Sequence, residues 1–163
     1  MKKIKIYSIL LLLIILSSCG YQPIYSKNEK TGEELLSISI INIKDRSGQI
    51  LRNSLLNKIN PERKRVFLKY RLYVEIFEGK TELGFRKDMS ATRTDLNVNA
   101  KYKLTNIKDG RIVYESESNS ISSFDVVESV YATIIAEKDA KEKSLKVLSE
   151  DIYTNLAIYF KNK

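Results

Sequence analysis

Thr92–Ile107 reads TRTDLNVNAKYKLTNI. Thr94, Leu96, Val98, Ala100, Tyr102 and Leu104 stand at every second position, with Arg93, Asp95, Asn97, Asn99, Lys101 and Lys103 between them. Successive side chains of a strand point to opposite faces, so this pattern describes one strand with an apolar row inward and a polar row outward. At ~3.3 Å per residue it spans roughly 50 Å, well beyond an average strand. So long a strand needs long neighbours, and the sequence supplies them on both sides.

Downstream, Lys108-Asp109-Gly110 is a hairpin signal, and Arg111–Phe124 runs back, Ser-rich and more weakly alternating. Upstream, Arg65–Glu78 alternates as well. Val66, Leu68, Tyr70, Leu72, Val74 and Ile76 share one face; Phe67, Lys69, Arg71, Tyr73, Glu75 and Phe77 share the other. Glu78-Gly79-Lys80 reads as a turn, and Thr81–Ser90 as an irregular, partly extended stretch interrupted at Gly84. Leu35–Ile43 is β-branched and alternates at its start, predicting a half-buried strand. After the turn Asp45–Gly48, Ile50, Leu51, Leu55, Leu56 and Ile59 fall at helical spacing, and Asn60-Pro61 ends that helix.

A long helix closes the chain. Asp125 and Glu128 suit a capping box. The apolar stripe runs through Val127, Val130 or Tyr131, Ile134, Ala140, Leu145, Leu148, Ile152, Leu156, Tyr159 and Phe160. Glu137/Lys141, Asp139/Lys143 and Glu142/Lys146 stand four apart on the solvated side. The order β-α-β-β-β-α predicts an α+β fold: a two-layer sandwich, a mainly antiparallel four-stranded sheet with two helices on one face. The other sheet face is left open or partnered.

The first residues, MKKIKIYSILLLLIILSSCG, belong to a different physical class. Lys2, Lys3 and Lys5 precede an apolar run, Ile6–Leu16, of about eleven residues, short for a permanent membrane span and right for an export signal. Leu16-Ser17-Ser18-Cys19 resembles the lipobox of bacterial lipoproteins. That resemblance implies cleavage before Cys19, a covalent diacylglycerol on its thiol and an acyl chain on its new amino group; no other cofactor is expected. Several acyl chains are needed for a stable anchor. Gly20, where Asp often retains such proteins at the inner membrane, favours the outer membrane. The chain thus divides into a signal peptide (1–18), a lipidated tether (19–34) and one α+β domain (35–163).

Removing the signal lowers the formal charge from +8 to about +5, and with Cys19 as the sole cysteine no internal disulfide can form. Histidine is absent. The commonest general base and metal ligand are therefore missing, and no serine–lysine or carboxylate spacing replaces them. Catalysis is not expected, and an envelope hydrolase is disfavoured.

Four segments together resemble the LPS-assembly lipoprotein family of the LptE type, especially its alphaproteobacterial branch. They are CGYQPIY at the lipid site, IKDRSGQILRNSLL at the first helix, SATRTDLNVNAKYKL in the long strand, and FDVVESVYATIIAEKDA leading into LSEDIYTNLAIYF. The resemblance implies a non-enzymatic lipoprotein of the outer membrane's periplasmic leaflet. It would plug and help assemble an LptD-type β-barrel and assist lipopolysaccharide delivery to the cell surface. No nucleic-acid partner is implied. Lipopolysaccharide is polyanionic, so Arg93, Arg86, Lys87, Lys101 and Lys103, on or beside the long strand, are the contacts to expect. The other reading is a periplasmic lipoprotein binding module auxiliary to an envelope lipid or solute transporter. The partner, barrel or inner-membrane transporter, separates the two.

Overall fold

The computed structural model describes residues 29–85 and 91–163. The elements are α1 (Glu29–Leu36), β1 (Ile38–Ile40), α2 (Asp45–Ile59), β2 (Tyr70–Phe85), β3 (Ala91–Asn106), β4 (Ile112–Asp125) and α3 (Val130–Lys161). The strands form one sheet in the order β1-β2-β3-β4; β1 is parallel to β2, and the other pairs are antiparallel. The α+β class, the four-stranded sheet and the helical layer are those the alternation predicts.

β3 is the strand from which the sheet is built. Thr94, Leu96, Val98, Ala100, Tyr102 and Leu104 are all buried, toward the helices. Leu145, Leu148, Ile152 and Leu156 from α3, which lies over β3 and β4, join them in one core with Leu51 and Leu55 from α2, which packs on α3, β1 and β2; none of the six leaves measurable side-chain surface in water. Each such leucine or isoleucine contributes about 1.5–3 kcal/mol relative to exposure. α3 runs down the sheet. Its early turns meet β4, where Ser122 Oγ contacts Ser144 Oγ at 2.7 Å. Farther on, Asn155 Nδ2 donates to the Tyr102 hydroxyl at 2.8 Å, and Phe160 packs on Tyr70 with ring centroids 5.3 Å apart.

Local structure departs from the sequence reading in five places. Glu29–Leu36, taken mostly as tether, is helical, and Leu35 is buried in the core. The strand expected over Leu35–Ile43 is reduced to Ile38–Ile40, because only those residues find a partner, Tyr70–Leu72. The turn expected at Glu78-Gly79-Lys80 is absent. β2 continues through it to Phe85, since β3 offers partners from Asn106 down to Ala91, the ladder skipping only Gly84, which adopts φ 63°. Conversely, Arg65–Lys69 alternates yet is not strand; Val66, Phe67 and Leu68 are exposed in the loop from α2 to β2. Finally, Asp125 and Glu128 do not cap α3. Ser129 does, its hydroxyl accepting from Ala132 N at 3.4 Å, and Val127, Val130, Tyr131 and Ile134 at the head of the apolar stripe are exposed.

Candidate functional site: the uncovered face of the sheet

The residues between the buried positions of β2, β3 and β4 make a face that no element covers among the described residues. Register fixes its rows. Tyr73, Lys103 and Glu115 lie side by side; so do Glu75, Lys101 and Glu117, then Phe77, Asn99 and Asn119. Toward the β2–β3 connection follow Gly79, Asn97 and Ile121, then Thr81, Asp95 and Ser123, and last Leu83, Arg93 and Asp125. Opposite charges directly across a ladder interact favourably, by about 0.2–1 kcal/mol a pair.

Three of the predicted cations can be placed. Lys101 and Lys103 stand together near the middle of β3, each between its neighbours in those rows. Lys103 Nζ is 5.8 Å from the Tyr73 ring centroid and Lys101 Nζ 5.9 Å from that of Phe77. Arg93 is on the same face but eight residues along the strand from Lys101, roughly 26 Å at strand rise. Its Nε lies 3.9 Å from Asp95 Oδ1, and Asp125 is its neighbour on β4. The fold therefore aligns these cations on one face without gathering them, and sets carboxylates beside each. Arg86, Lys87 and Cys19 lie outside the described residues.

The centre of the face is amide-rich. Asn119 Nδ2 donates to Asn97 Oδ1, and Ser123 Oγ donates to Asp95 Oδ1 at 2.6 Å. Asn99 Oδ1 is buried without a partner among the described residues. Such a surface offers donors, acceptors and two aromatic faces to a wet, polar partner. Sequence reading found the cations and missed their aromatic partners. Tyr73 and Phe77 alternate visibly in β2, but only the register with β3 shows which lysine each one meets.

A second feature lies where β1 ends. Ile41 N donates to Leu72 O at 3.0 Å and the parallel pairing stops, so from Val74 onward the outer edge of β2 carries no strand among the described residues. A groove of about 920 Å³ opens there between Ile41–Ser47 and Tyr73–Glu78, with Lys141 at its margin. Glu78 closes its wall, accepting from Ser47 Oγ at 2.6 Å and pairing with Lys141 Nζ at 2.6 Å. Burial pushes the Glu78 carboxyl up, but the hydrogen bonds from Lys141 and Ser47 outweigh it and hold the group below the ordinary 4.5.

Among the described residues no three His, Cys, Asp or Glu side chains come together to hold a metal, and no helix is long and apolar enough to cross a membrane.

No family model matches the chain. It is similar to the uncharacterized protein RP188 of Rickettsia prowazekii, 24% identical over 155 residues that cover 95% of this chain and 97% of the relative. Among solved structures it resembles a Caulobacter crescentus chain assigned as a lipoprotein, with a TM-score of 0.66 and 22% identity over 82% of this chain and 97% of that one. The rare lipoprotein B of Shewanella oneidensis gives 0.58 and 11% identity over 77% of this chain and 96% of that one. A minor lipoprotein of Acinetobacter baumannii gives 0.59 and 12% over 74% and 90%. What the chain has in common with these solved structures is the fold.

Proposed function

We propose that this chain is an outer-membrane lipoprotein, anchored through acylated Cys19 on the periplasmic side. There it plugs and helps assemble an LptD-type β-barrel and assists delivery of lipopolysaccharide to the surface. The observation that carries the reading is the uncovered sheet face: strands of up to 16 residues presenting amides and balanced charges. A barrel lumen is polar and wet, and such a face fills it without burying unpaired charge. The fold it has in common with three proteins whose names call them lipoproteins supports the anchored state, as does the lipobox-like Leu16–Cys19. Acyl chains beside the barrel would raise the domain's effective concentration there.

In this role the chain is not an enzyme. Lipopolysaccharide contact is proposed at Arg93, Lys101 and Lys103, with Arg86 and Lys87 on the connection beyond β2. Arg93 comes first, because its planar fork can hold a phosphate bidentately. Photocrosslinkers at Asn97, Asn119 and Lys101 in the full chain should capture a large outer-membrane barrel, and depletion should leave that barrel misassembled and surface lipopolysaccharide reduced. Normal barrel assembly after depletion would sink the reading. Cys19→Ser should release the domain from the membrane while it stays folded. The groove beside β2 favours one second reading, a periplasmic binding module serving an envelope transporter; crosslinks to an inner-membrane transporter would select it.

A further inference from the structure

The loop Pro61–Lys69, PERKRVFLK, joins exposed apolar side chains to a cluster of cations. It carries four cations, Arg63, Lys64, Arg65 and Lys69, against one carboxylate, Glu62. All of its residues are exposed, and Phe67 leaves 78% of its surface in water. Val66 and Leu68 flank it, also exposed. Large apolar side chains normally turn inward, and three consecutive ones outside the core mark a contact surface.

The loop is held in this form at both ends. At its start Asn60 clamps Lys64 reciprocally: Asn60 Nδ2 donates to Lys64 O and Lys64 N donates to Asn60 Oδ1, both at 2.9 Å. Arg63 adopts φ 51°, a left-handed conformation that costs a non-glycine residue energy, and its N–H donates to Asn60 O at 3.1 Å. At its end Lys69 N donates to Ser37 O, and Lys69 Nζ pairs with Glu34 at 2.7 Å. Lys64 is paired with Glu62 at 2.7 Å. Arg63 and Arg65 have no carboxylate partner among the described residues. Packing among the described residues gives no reason for an outward aromatic beside two guanidiniums.

Place supplies the rest. Ser37, which receives the loop's end, directly follows α1, so the loop sits at the end of the sheet where the amino-terminal part of the chain arrives. On the same end the β3–β4 hairpin brings Lys108 and Arg111, and Ile107 N donates to Lys69 O at 2.9 Å. Cations that neutralise anionic headgroups, around an apolar wedge that enters the headgroup–acyl boundary, are what a bilayer surface recognises.

We propose that the loop 61–69 is a membrane-surface contact, with Phe67, Val66 and Leu68 entering the interface of an anionic phospholipid bilayer and Arg63, Lys64 and Arg65 over its headgroups. The contact needs neither acylation of Cys19 nor a barrel, so its failure leaves the proposed function standing. The two would act together on one leaflet, the acyl chains holding the domain there and the loop setting how it lies on the surface. Cys19 stands ten residues before Glu29, a stretch that reaches roughly 35 Å at most, so the anchor's leaflet is bounded to that distance from the start of α1.

The chain has no tryptophan, so Phe67→Trp creates a sole reporter. Among the described residues the core runs from Leu35 to Phe160, all of which an unacylated chain 19–163 carrying Cys19→Ser retains, and circular dichroism verifies each variant's fold. With vesicles of phosphatidylglycerol and phosphatidylethanolamine, the indole emission of the Phe67→Trp chain should shift to the blue and be quenched by brominated acyl chains. Phosphatidylcholine alone should give neither. Arg63→Gln, Lys64→Gln and Arg65→Gln together should weaken vesicle binding on the order of a hundredfold, from about fivefold per cation, and added salt should weaken the parent in the same direction. Unchanged emission with anionic vesicles, binding that ignores the three substitutions and salt, or a response confined to lipopolysaccharide aggregates would each overturn the proposal.

Discussion

The two ends of the sheet are built from the same strands and held by different materials. Where Tyr70, Leu104 and the end of α3 meet, the contacts are large and apolar: Leu72, Leu104, Leu156 and Phe160, with Tyr70, Tyr102, Tyr114 and Tyr159 stacked among them. Toward the β2–β3 connection the helix-facing row of β2 turns from Val74 and Ile76 to Glu78, Lys80 and Glu82. α3 is held there by Lys80–Glu137 and Lys141–Glu78 ion pairs and by hydroxyls, Ser122 Oγ donating to Ala140 O at 2.8 Å. Apolar burial depends neither on protonation nor on ionic screening, whereas partly solvated ion pairs are modest and screened. Both ends keep a buried row on β3, Leu96 and Val98 at the second, but there β2 adds ion pairs in place of apolar cover, so that end is expected to open first.

Deletion at the apolar end should cost most. Leu156→Ala removes a fully buried side chain and should lower the urea-unfolding free energy by about 2–5 kcal/mol. An effect under about 1 kcal/mol would erase the distinction between the ends. Gly48→Ala tests the boundary between them, at the opening turn of α2. An added Cβ would stand 2.7 Å from Ile43 Cγ2 and 2.8 Å from its carbonyl, so overpacking should cost about 1–3 kcal/mol, read as a lower urea midpoint.

At the polar end, Ser144→Ala breaks the hydroxyl contact to Ser122 and should cost about 1 kcal/mol. Hydrogen exchange should show it as faster opening of Val130–Ala140, with amides near Leu156 unaffected. Glu78→Gln should cost least, about 0.5 kcal/mol, because the pair is partly solvated. Since the folded Glu78 carboxyl lies below 4.5, its contribution is present above that pH and is lost as pH falls through the lowered value. Acid should therefore loosen the β2–α3 junction in the wild type and less so in Glu78→Gln. Equal acid sensitivity in both would remove Glu78 from the account.

Periodicity revealed most of the layer structure, because β3 states its faces without ambiguity: all six predicted inward residues are buried. It failed where pairing, not pattern, decides. Gly79 looks like a turn residue, yet opposite Asn97 it is simply one rung. Val66 and Leu68 look like strand positions, yet the ladder opposite them has ended at Asn106. The polar row on the uncovered face was legible, since outward alternation marks it. Its balance was not. Glu75 and Glu117 come beside Lys101 only through the register, and composition cannot reveal that. The exposed head of α3 was hidden for a related reason: an apolar stripe says that a face can be buried, and the length of the opposing layer decides whether it is.

The placement of α3 after all four strands has a consequence for synthesis. The meander β2–β4 joins sequence neighbours and can zip early, but most of the cover for its inward row comes from α3 and is missing until residues beyond Val130 have emerged. During that interval Leu72, Val98 and Leu104 form an apolar sheet surface open to any sticky neighbour. The order of the elements thus sets how long that surface stays open to aggregation before the chain's own helix arrives.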